Sequence, residues 1–292
     1  MLEANAMLAL AAAVLWGGGD FSGGMGAKYA GSSMGGALRV VLTSHAASFC
    51  VLVMIALLRG DQFPHGAPFY WGLLAGVMGG LSLTGFYVAL SRGAMGASAA
   101  ISGLLAAAIP AAVSAVREGS PGWVRVAGFL IAGAAIWMIA AGENPEAKPA
   151  SAGTVWLAVT AGVGFGIYFV ALRMAGTAGV IWPMATARIG SLTTCSVILV
   201  ATLLAGRDAG EPRWLPRKAV LWALSTAALD TSGNLLFIAS TRAGRLDVAA
   251  VLASLYPAST ILLAAWALHE RPTRRQGLGM VVAAAAVVMI TL

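Results

Sequence analysis

The chain has 292 residues, of which 59% are hydrophobic and only 10% are charged. Soluble domains carry about 25% charged residues, so a soluble fold of this length would expose large apolar patches, and we exclude that class. The net charge of +7 comes from Lys and Arg at the ends of apolar runs, a distribution typical of membrane anchors rather than of nucleic-acid-binding surfaces. We therefore expect membrane lipid as a partner and no nucleic acid.

Ten apolar stretches are each long enough to cross a membrane, because a spanning helix needs about 20 mostly apolar residues. In chain order they are residues 4–26, 34–58, 68–91, 96–117, 121–141, 153–175, 182–205, 218–241, 246–268 and 272–292. The connections are short, and only residues 142–152 and 206–218 look like soluble linkers. The sequence therefore predicts an all-α polytopic membrane protein of ten transmembrane helices.

Enzyme chemistry, metal binding and cofactor binding have little support in the sequence. Cys50 and Cys195 both lie in apolar stretches, without a Cys/His cluster of metal-binding spacing, so we expect buried thiols and no metal. There are only three His and no Asp/Glu cluster for acid–base work. The N-terminal residues before the first stretch carry no positive charge, so we expect that stretch to be retained as a helix.

An internal repeat divides the chain into two halves of five helices. Arg39 and Arg188 stand at the same depth in the second and seventh stretches, and FYVALSRGAMGASAA (86–100) aligns with LFIASTRAGRLDVAA (236–250). We place the halves at residues 1–142 and 153–292, joined by a linker at 143–152. Because five helices end on the opposite side of the membrane, the second half must be inverted. Inverted repeats are a common transporter architecture, with the substrate site at their interface.

The quoted motifs resemble a known family. LWGGGDFSGGMGAK (15–28) is similar to the opening of EamA-type members of the drug/metabolite transporter superfamily, and VLASLYPASTILLAAWALHERPTRRQGLGMVVAAAAVVMI (251–290) is similar to their last two helices. The resemblance is closest to exporters of aromatic and neutral amino acids. It implies ten helices in two inverted halves in the inner membrane, and export of amino acids or similar metabolites. A multidrug or cation exporter of the same fold is the alternative, because fold alone does not set the substrate.

Few ionisable residues lie inside the predicted spans, and such residues are candidates for function because burying them in a membrane is costly. They are Asp20, Arg39, His45, Arg188 and Asp230. Asp20 and Arg39 lie roughly 9 Å from the same face, so we predict an ion pair between them; the nearest acidic candidate for Arg188 is Asp230. The alternative for both arginines is snorkelling to the headgroups. Asp20, His45 and Asp230 are also candidates for proton coupling, with uncoupled exchange equally open.

Aromatic and amide side chains are the candidate substrate contacts, because a cavity of aromatic faces with a few polar groups suits neutral or aromatic amino acids. The predicted substrate site consists of Trp16, Asp20, Tyr87, Tyr168, Asp230, Asn234, Phe237 and Tyr256. The alternative for each aromatic is simple packing or contact with lipid. We expect a small-molecule substrate and no obligate protein partner.

Three further features concern packing and topology. The glycine ladders Gly19/Gly23, Gly72/Gly76/Gly80 and Gly162/Gly166 are typical of closely packed membrane helices. Pro257 stands in mid-span and is the best candidate for a hinge, and Glu118 is expected to cap the helix that follows it. Ten spans place both termini on one side: the family resemblance implies the cytoplasm, whereas the Lys/Arg distribution between the loops favours the opposite orientation.

Overall fold

A computed structural model of the protein describes residues 3–31, 33–91, 95–140, 151–206, 214–267 and 273–291. In the N-terminal half the helices are α1 (Ala4–Tyr29), α2 (Met34–Arg59), α3 (Ala67–Ser91), α4 (Met95–Arg117) and α5 (Trp123–Ala140). In the C-terminal half they are α6 (Ala152–Ala175), α7 (Ile181–Leu204), α8 (Arg217–Ala243), α9 (Leu246–Ala253), α10 (Tyr256–Ala267) and α11 (Arg274–Thr291), with a 3₁₀ turn at Gly176–Ala178. Most of the predicted linker 143–152 lies outside the described residues.

Within the described ranges, six helices are long and apolar enough to cross a membrane. They are Ala4–Tyr29, Met34–Arg59, Ala67–Ala89, Ala152–Ala178, Ile181–Leu204 and Arg274–Thr291. An apolar helix satisfies its backbone hydrogen bonds internally, which is the condition for crossing lipid. The described part of the chain is therefore all-helical, as predicted, and the exact number of ten spans in two repeats stays a prediction.

The predicted ninth span is two helices rather than one. α9 ends at Ala253 and α10 begins at Tyr256, so the break lies just before Pro257. Two short-range bonds bridge the break, from Leu255 N to Leu252 O at 3.2 Å and from Ala258 N to Leu255 O at 3.0 Å. Proline lacks an N–H and clashes with the preceding turn, which accounts for the break. Pro110, by contrast, lies within the continuous helix α4.

Short polar residues begin several of the helices. The Ser33 hydroxyl accepts from Gly36 N at the start of α2, and the Ser151 hydroxyl accepts from Thr154 N at the start of α6. Before α11, Thr273 and Gln276 form a reciprocal capping box. Each cap satisfies backbone N–H groups that have no partner in the first helical turn.

Helices of the two halves interleave. α1 packs mainly against α8, while α3 packs against both α6 and α7; α2 meets α7, and α5 meets α11. The glycine ladders mark these contacts, as predicted. A Cβ on Gly76 would overlap Ala187 O on α7, and a Cβ on Gly162 would lie 2.7 Å from the Cα of Ser102 on α4. Close backbone approach at glycine thus lets α3 pack against α7 and α6 pack against α4.

Glu118 has a different capping role from the one predicted. Its Oε2 accepts from the Ser114 hydroxyl at 2.9 Å and from Leu246 N at 3.4 Å, so it meets the start of α9 instead of the following helix α5. Arg245 adds to this junction by donating to Gly119 O at 2.8 Å and to Asp247 Oδ2 at 2.8 Å. Charged groups at the helix ends therefore join α4 of the first half to α9 of the second.

Candidate functional site

A cavity lies between α2, α3, α6, α7 and α8, near the middle of these helices. The volume of this cavity that is open to the centre of a water-sized sphere is about 40 Å³. The polar residues lining it are His45, Tyr168, Arg188, Ser191 and Asp230, and Gly76 and Gly79 form part of the α3 wall. Glycines at this wall leave room beside the rings and charges of the facing helices.

Arg188 and Asp230 form the charged centre of the cavity. Arg188 is 4% exposed, and its Nη2 donates to Asp230 Oδ2 at 2.5 Å and to Thr231 Oγ1 at 2.9 Å. The ion pair joins α7 to α8, and its acidic member is the candidate that the sequence placed nearest to Arg188. Arg188 therefore does not snorkel: its side chain is held inside the bundle by a carboxylate and a hydroxyl. A buried charge needs such partners because its desolvation is costly.

His45 extends the polar wall from α2. Its Nδ1 lies 2.7 Å from the Ser191 hydroxyl, which in turn donates to the Arg188 carbonyl at 3.2 Å. His45 and Ser191 therefore join α2 to α7 on one side of the cavity.

Tyr168 and Asn234 form a second hydrogen-bonded chain that supports Asp230. The Tyr168 hydroxyl donates to Asn234 Oδ1 at 2.6 Å, and Asn234 Nδ2 donates to the Asp230 backbone carbonyl at 2.7 Å. Tyr168 lines the cavity, whereas Asn234 is only 1% exposed. Asn234 thus positions its neighbours, and Tyr168 presents its ring to the cavity.

Replacing Tyr168 with phenylalanine is expected to destabilise the fold by about 1–3 kcal/mol, because the buried Asn234 Oδ1 would lose its donor. The measurement is the thermal midpoint of the purified protein in detergent. Tyr70→Phe is the matched control, since Tyr70 is 68% exposed and the same change there is expected to be neutral. Equal midpoints for the two variants would contradict the hydrogen-bonded chain.

Trp16 and Phe237 were predicted to contact substrate, and the structure places both in an aromatic cluster. Trp16 stacks on Phe169 with ring centroids 5.1 Å apart and planes at 2°, and Phe169 lies 4.7 Å from Phe237. Phe237 is fully buried. A Cβ on Gly233 would lie 2.6 Å from the Trp16 ring, so that glycine makes room for the cluster. In this conformation these two rings pack the core, and their contact with substrate stays a prediction.

Asp20, Tyr87 and Tyr256 form a second group, on the α1 side of Asp230. Asp20 lies within electrostatic reach of Asp230, and both tyrosines lie within reach of Asp20. α1 approaches α8 closely here, because a Cβ on Gly19 would lie 3.2 Å from Asp230 N. Three predicted substrate residues, Tyr87, Tyr256 and Asp230, thus lie within electrostatic reach of the Asp20 carboxylate. The predicted ion pair between Asp20 and Arg39 stays a prediction.

Sequence reasoning missed Ser191, Thr231 and Phe169. Serine and threonine in apolar helices commonly bond to their own backbone, and Phe169 looks like any other apolar residue, so no sequence signal distinguished these three. Ser191 lies three residues after Arg188 on the same helical face, and Thr231 adjoins Asp230. This closeness to a charged residue is the signal in the sequence that could have indicated Ser191 and Thr231. Among the residues described, no group of three or more His, Cys, Asp or Glu is placed to hold a metal ion.

Comparison with known proteins gives a family match for the C-terminal half. Residues 152–292 match the EamA-like transporter family. The comparison with curated proteins finds no match. Among solved structures 23 chains match. One of them, described only as a crystal structure of a protein, is 16% identical with a TM-score of 0.75, over 98% of this chain and 96% of its own. At that identity the likeness shows the fold alone.

The family match and the helices lead to one conclusion about the kind of protein. EamA-like proteins are transporters rather than enzymes, and the match supports the drug/metabolite transporter superfamily for this chain. The long apolar helices agree with a multi-pass membrane protein. Residues 152–292 are therefore similar to the EamA-like transporter family, and the long apolar helices indicate a multi-pass membrane protein.

Proposed function

We propose that the protein exports amino acids or similar small metabolites across the inner membrane, by alternating access through the cavity between α2, α3, α6, α7 and α8. The observation that carries the proposal is the Arg188–Asp230 ion pair, which lines a cavity midway along apolar helices. Ionisable side chains at that depth are costly and mark the paths of substrates or ions. Amino acids carry one group of each charge, which fits a cavity with one group of each charge.

The helix packing supports an alternating-access mechanism. In a repeat of five helices, α1, α2 and α3 correspond to α6, α7 and α8, the broken helix α9–α10 corresponds to α4, and α11 corresponds to α5. The α1–α8 contact then has the α6–α3 contact as its counterpart, and both contacts exist. The α2–α7 and α5–α11 contacts each join a helix to its own counterpart. In such a bundle, the two gates form at opposite ends of one central site. The break before Pro257 supplies a hinge in the second half.

A multidrug or cation exporter is the alternative, and one observation favours it. Asp20 and Asp230 lie within electrostatic reach of each other, next to buried aromatic side chains, and carboxylates with aromatic faces suit a lipophilic cation. The buried Arg188 argues against this reading, because its positive charge lines the same cavity.

The deciding experiment measures counterflow in proteoliposomes for a panel of labelled amino acids and for ethidium, with and without a proton gradient. We expect flux of neutral or aromatic amino acids above that of protein-free liposomes. Flux that is indifferent to the gradient would eliminate proton coupling through Asp20 and Asp230. Ethidium flux without amino-acid flux would overturn the proposal in favour of the alternative. A C-terminal reporter fusion separately tests the cytoplasmic location of the termini.

A further inference from the structure

We infer that Arg188 binds the carboxylate of the transported solute and that Asp230 then binds its ammonium group, so that zwitterions are the preferred substrates. This inference rests on the proposed function and deepens it. It starts from the guanidinium of Arg188, whose donors are unequally used. Nη2 has two protons, and these go to Asp230 and Thr231. Nε is buried and has no hydrogen-bond partner among the described residues.

An unused buried donor is unfavourable, because it has lost water and gained no acceptor. Nε and Nη2 lie on one edge of the planar guanidinium, and this edge matches the two oxygens of a carboxylate. Arg188 lines the cavity, so a carboxylate that enters can occupy Nε and share or take over Nη2. The geometry points to an anionic oxygen as the missing partner of Nε.

Asp230 is the movable member of the pair. Its side chain is 24% exposed against 4% for Arg188. In the described part of the chain, Arg188 is the only hydrogen-bond donor to the Asp230 carboxylate. Asn234 instead holds the Asp230 backbone. The carboxylate can therefore leave Nη2 without breaking other bonds, while the helix at Asp230 stays in place.

The displaced Asp230 needs a new positive partner, since an uncompensated charge at this depth is unfavourable. The ammonium group of an amino acid supplies that partner. A carboxylic acid without an amine would leave Asp230 unpaired, and an amine without a carboxylate would leave Nε unpaired. Only a solute with both groups replaces one ion pair by two.

The test is competition against labelled phenylalanine in counterflow, using phenylalanine, phenylalaninamide and N-acetylphenylalanine. The half-inhibitory concentration of phenylalanine is expected to be at least about tenfold lower than that of either derivative. A tenfold change in affinity corresponds to the loss of one interaction of about 1.4 kcal/mol. Equal competition by all three would overturn the inference and leave amino-acid transport intact. Absence of any amino-acid flux, with ethidium carried, would overturn the proposed function as well, so the two failures are distinct.

Two substitutions assign the effect to Arg188. Arg188→Lys keeps the positive charge but not the two-donor edge, and it is expected to raise the KM for phenylalanine about tenfold with a smaller change in maximal rate. Arg188→Gln is expected to abolish flux. Arg59→Lys is the matched control, because Arg59 lies at the exposed end of α2 and pairs with Asp61. An unchanged KM in folded Arg188→Lys protein would overturn the carboxylate assignment.

Discussion

Gly76→Val is expected to prevent assembly of the native bundle. A Cβ at Gly76 would overlap Ala187 O and would lie 2.7 Å from Ser191 N, both backbone atoms of α7. Backbone atoms of a packed helix cannot turn aside as a side chain can, so α3 and α7 would have to separate along their contact. We expect a loss of more than about 3 kcal/mol, the upper end of the range for overpacked cores. The cavity between these helices would be lost with it.

The measurement for Gly76→Val is the fraction of monodisperse protein in size-exclusion chromatography after detergent extraction. Gly85→Val is a matched control on the same helix, because a Cβ there meets nothing within 4 Å among the described residues. That variant is expected to behave as wild type. A monodisperse Gly76→Val protein with an unchanged thermal midpoint would show that the α3–α7 contact is looser than described.

The second large effect is expected from a double-mutant cycle on Arg188 and Asp230. Arg188→Gln leaves Asp230 without its donor in the middle of the bundle, and breaking a buried pair in this way costs about 3–5 kcal/mol. Asp230→Asn is expected to cost less, because the amide oxygen still accepts from Arg188. The double variant is expected to be more stable than the sum of the two single losses predicts, by about 0.5–3 kcal/mol.

Unfolding in mixed micelles measures this cycle, and the Arg59–Asp61 pair is its control. The two side chains of that pair are 64% and 32% exposed, so Arg59→Gln and Asp61→Asn are each expected to change stability by less than about 1 kcal/mol. If the losses of unfolding free energy at Arg188 and Asp230 simply add, the two residues do not stabilise each other. The ion pair would then not be what holds the charged centre of the cavity together.

The Arg188–Asp230 ion pair shows what an argument from depth in the membrane can and cannot predict. The sequence places Arg188 and Asp230 inside apolar stretches, and a rise of about 1.5 Å per residue is enough to rank possible partners by depth. It does not show which side of each helix faces the partner. Ser191 lines the cavity and Thr231 accepts from Arg188 because of how α7 and α8 face each other, and small polar residues carry no signal of that kind.

Residue type alone does not predict which aromatic side chains line the cavity. Trp16 and Phe237 have the chemistry of substrate contacts, yet they stack with Phe169 in the core. Tyr168 has similar chemistry and does line the cavity. Both rings lie against a glycine of a neighbouring helix, Tyr168 against Gly79 and Trp16 against Gly233. Helix separation is a property of pairs of helices, and no single stretch of sequence contains it.

The sequence alone determined that the chain is helical and membrane-bound, because apolar runs of this length must satisfy their backbone bonds within each segment. It also located the glycines at helix contacts and Pro257 as a candidate hinge. The tertiary structure alone decided that the chain breaks before Pro257 into α9 and α10 and that Glu118 accepts from the start of α9. It also decided that Arg188 Nε lacks a hydrogen-bond partner among the described residues. The physical reason is that hydropathy acts along the chain, whereas hydrogen-bond partners and helix spacing depend on residues far apart in sequence.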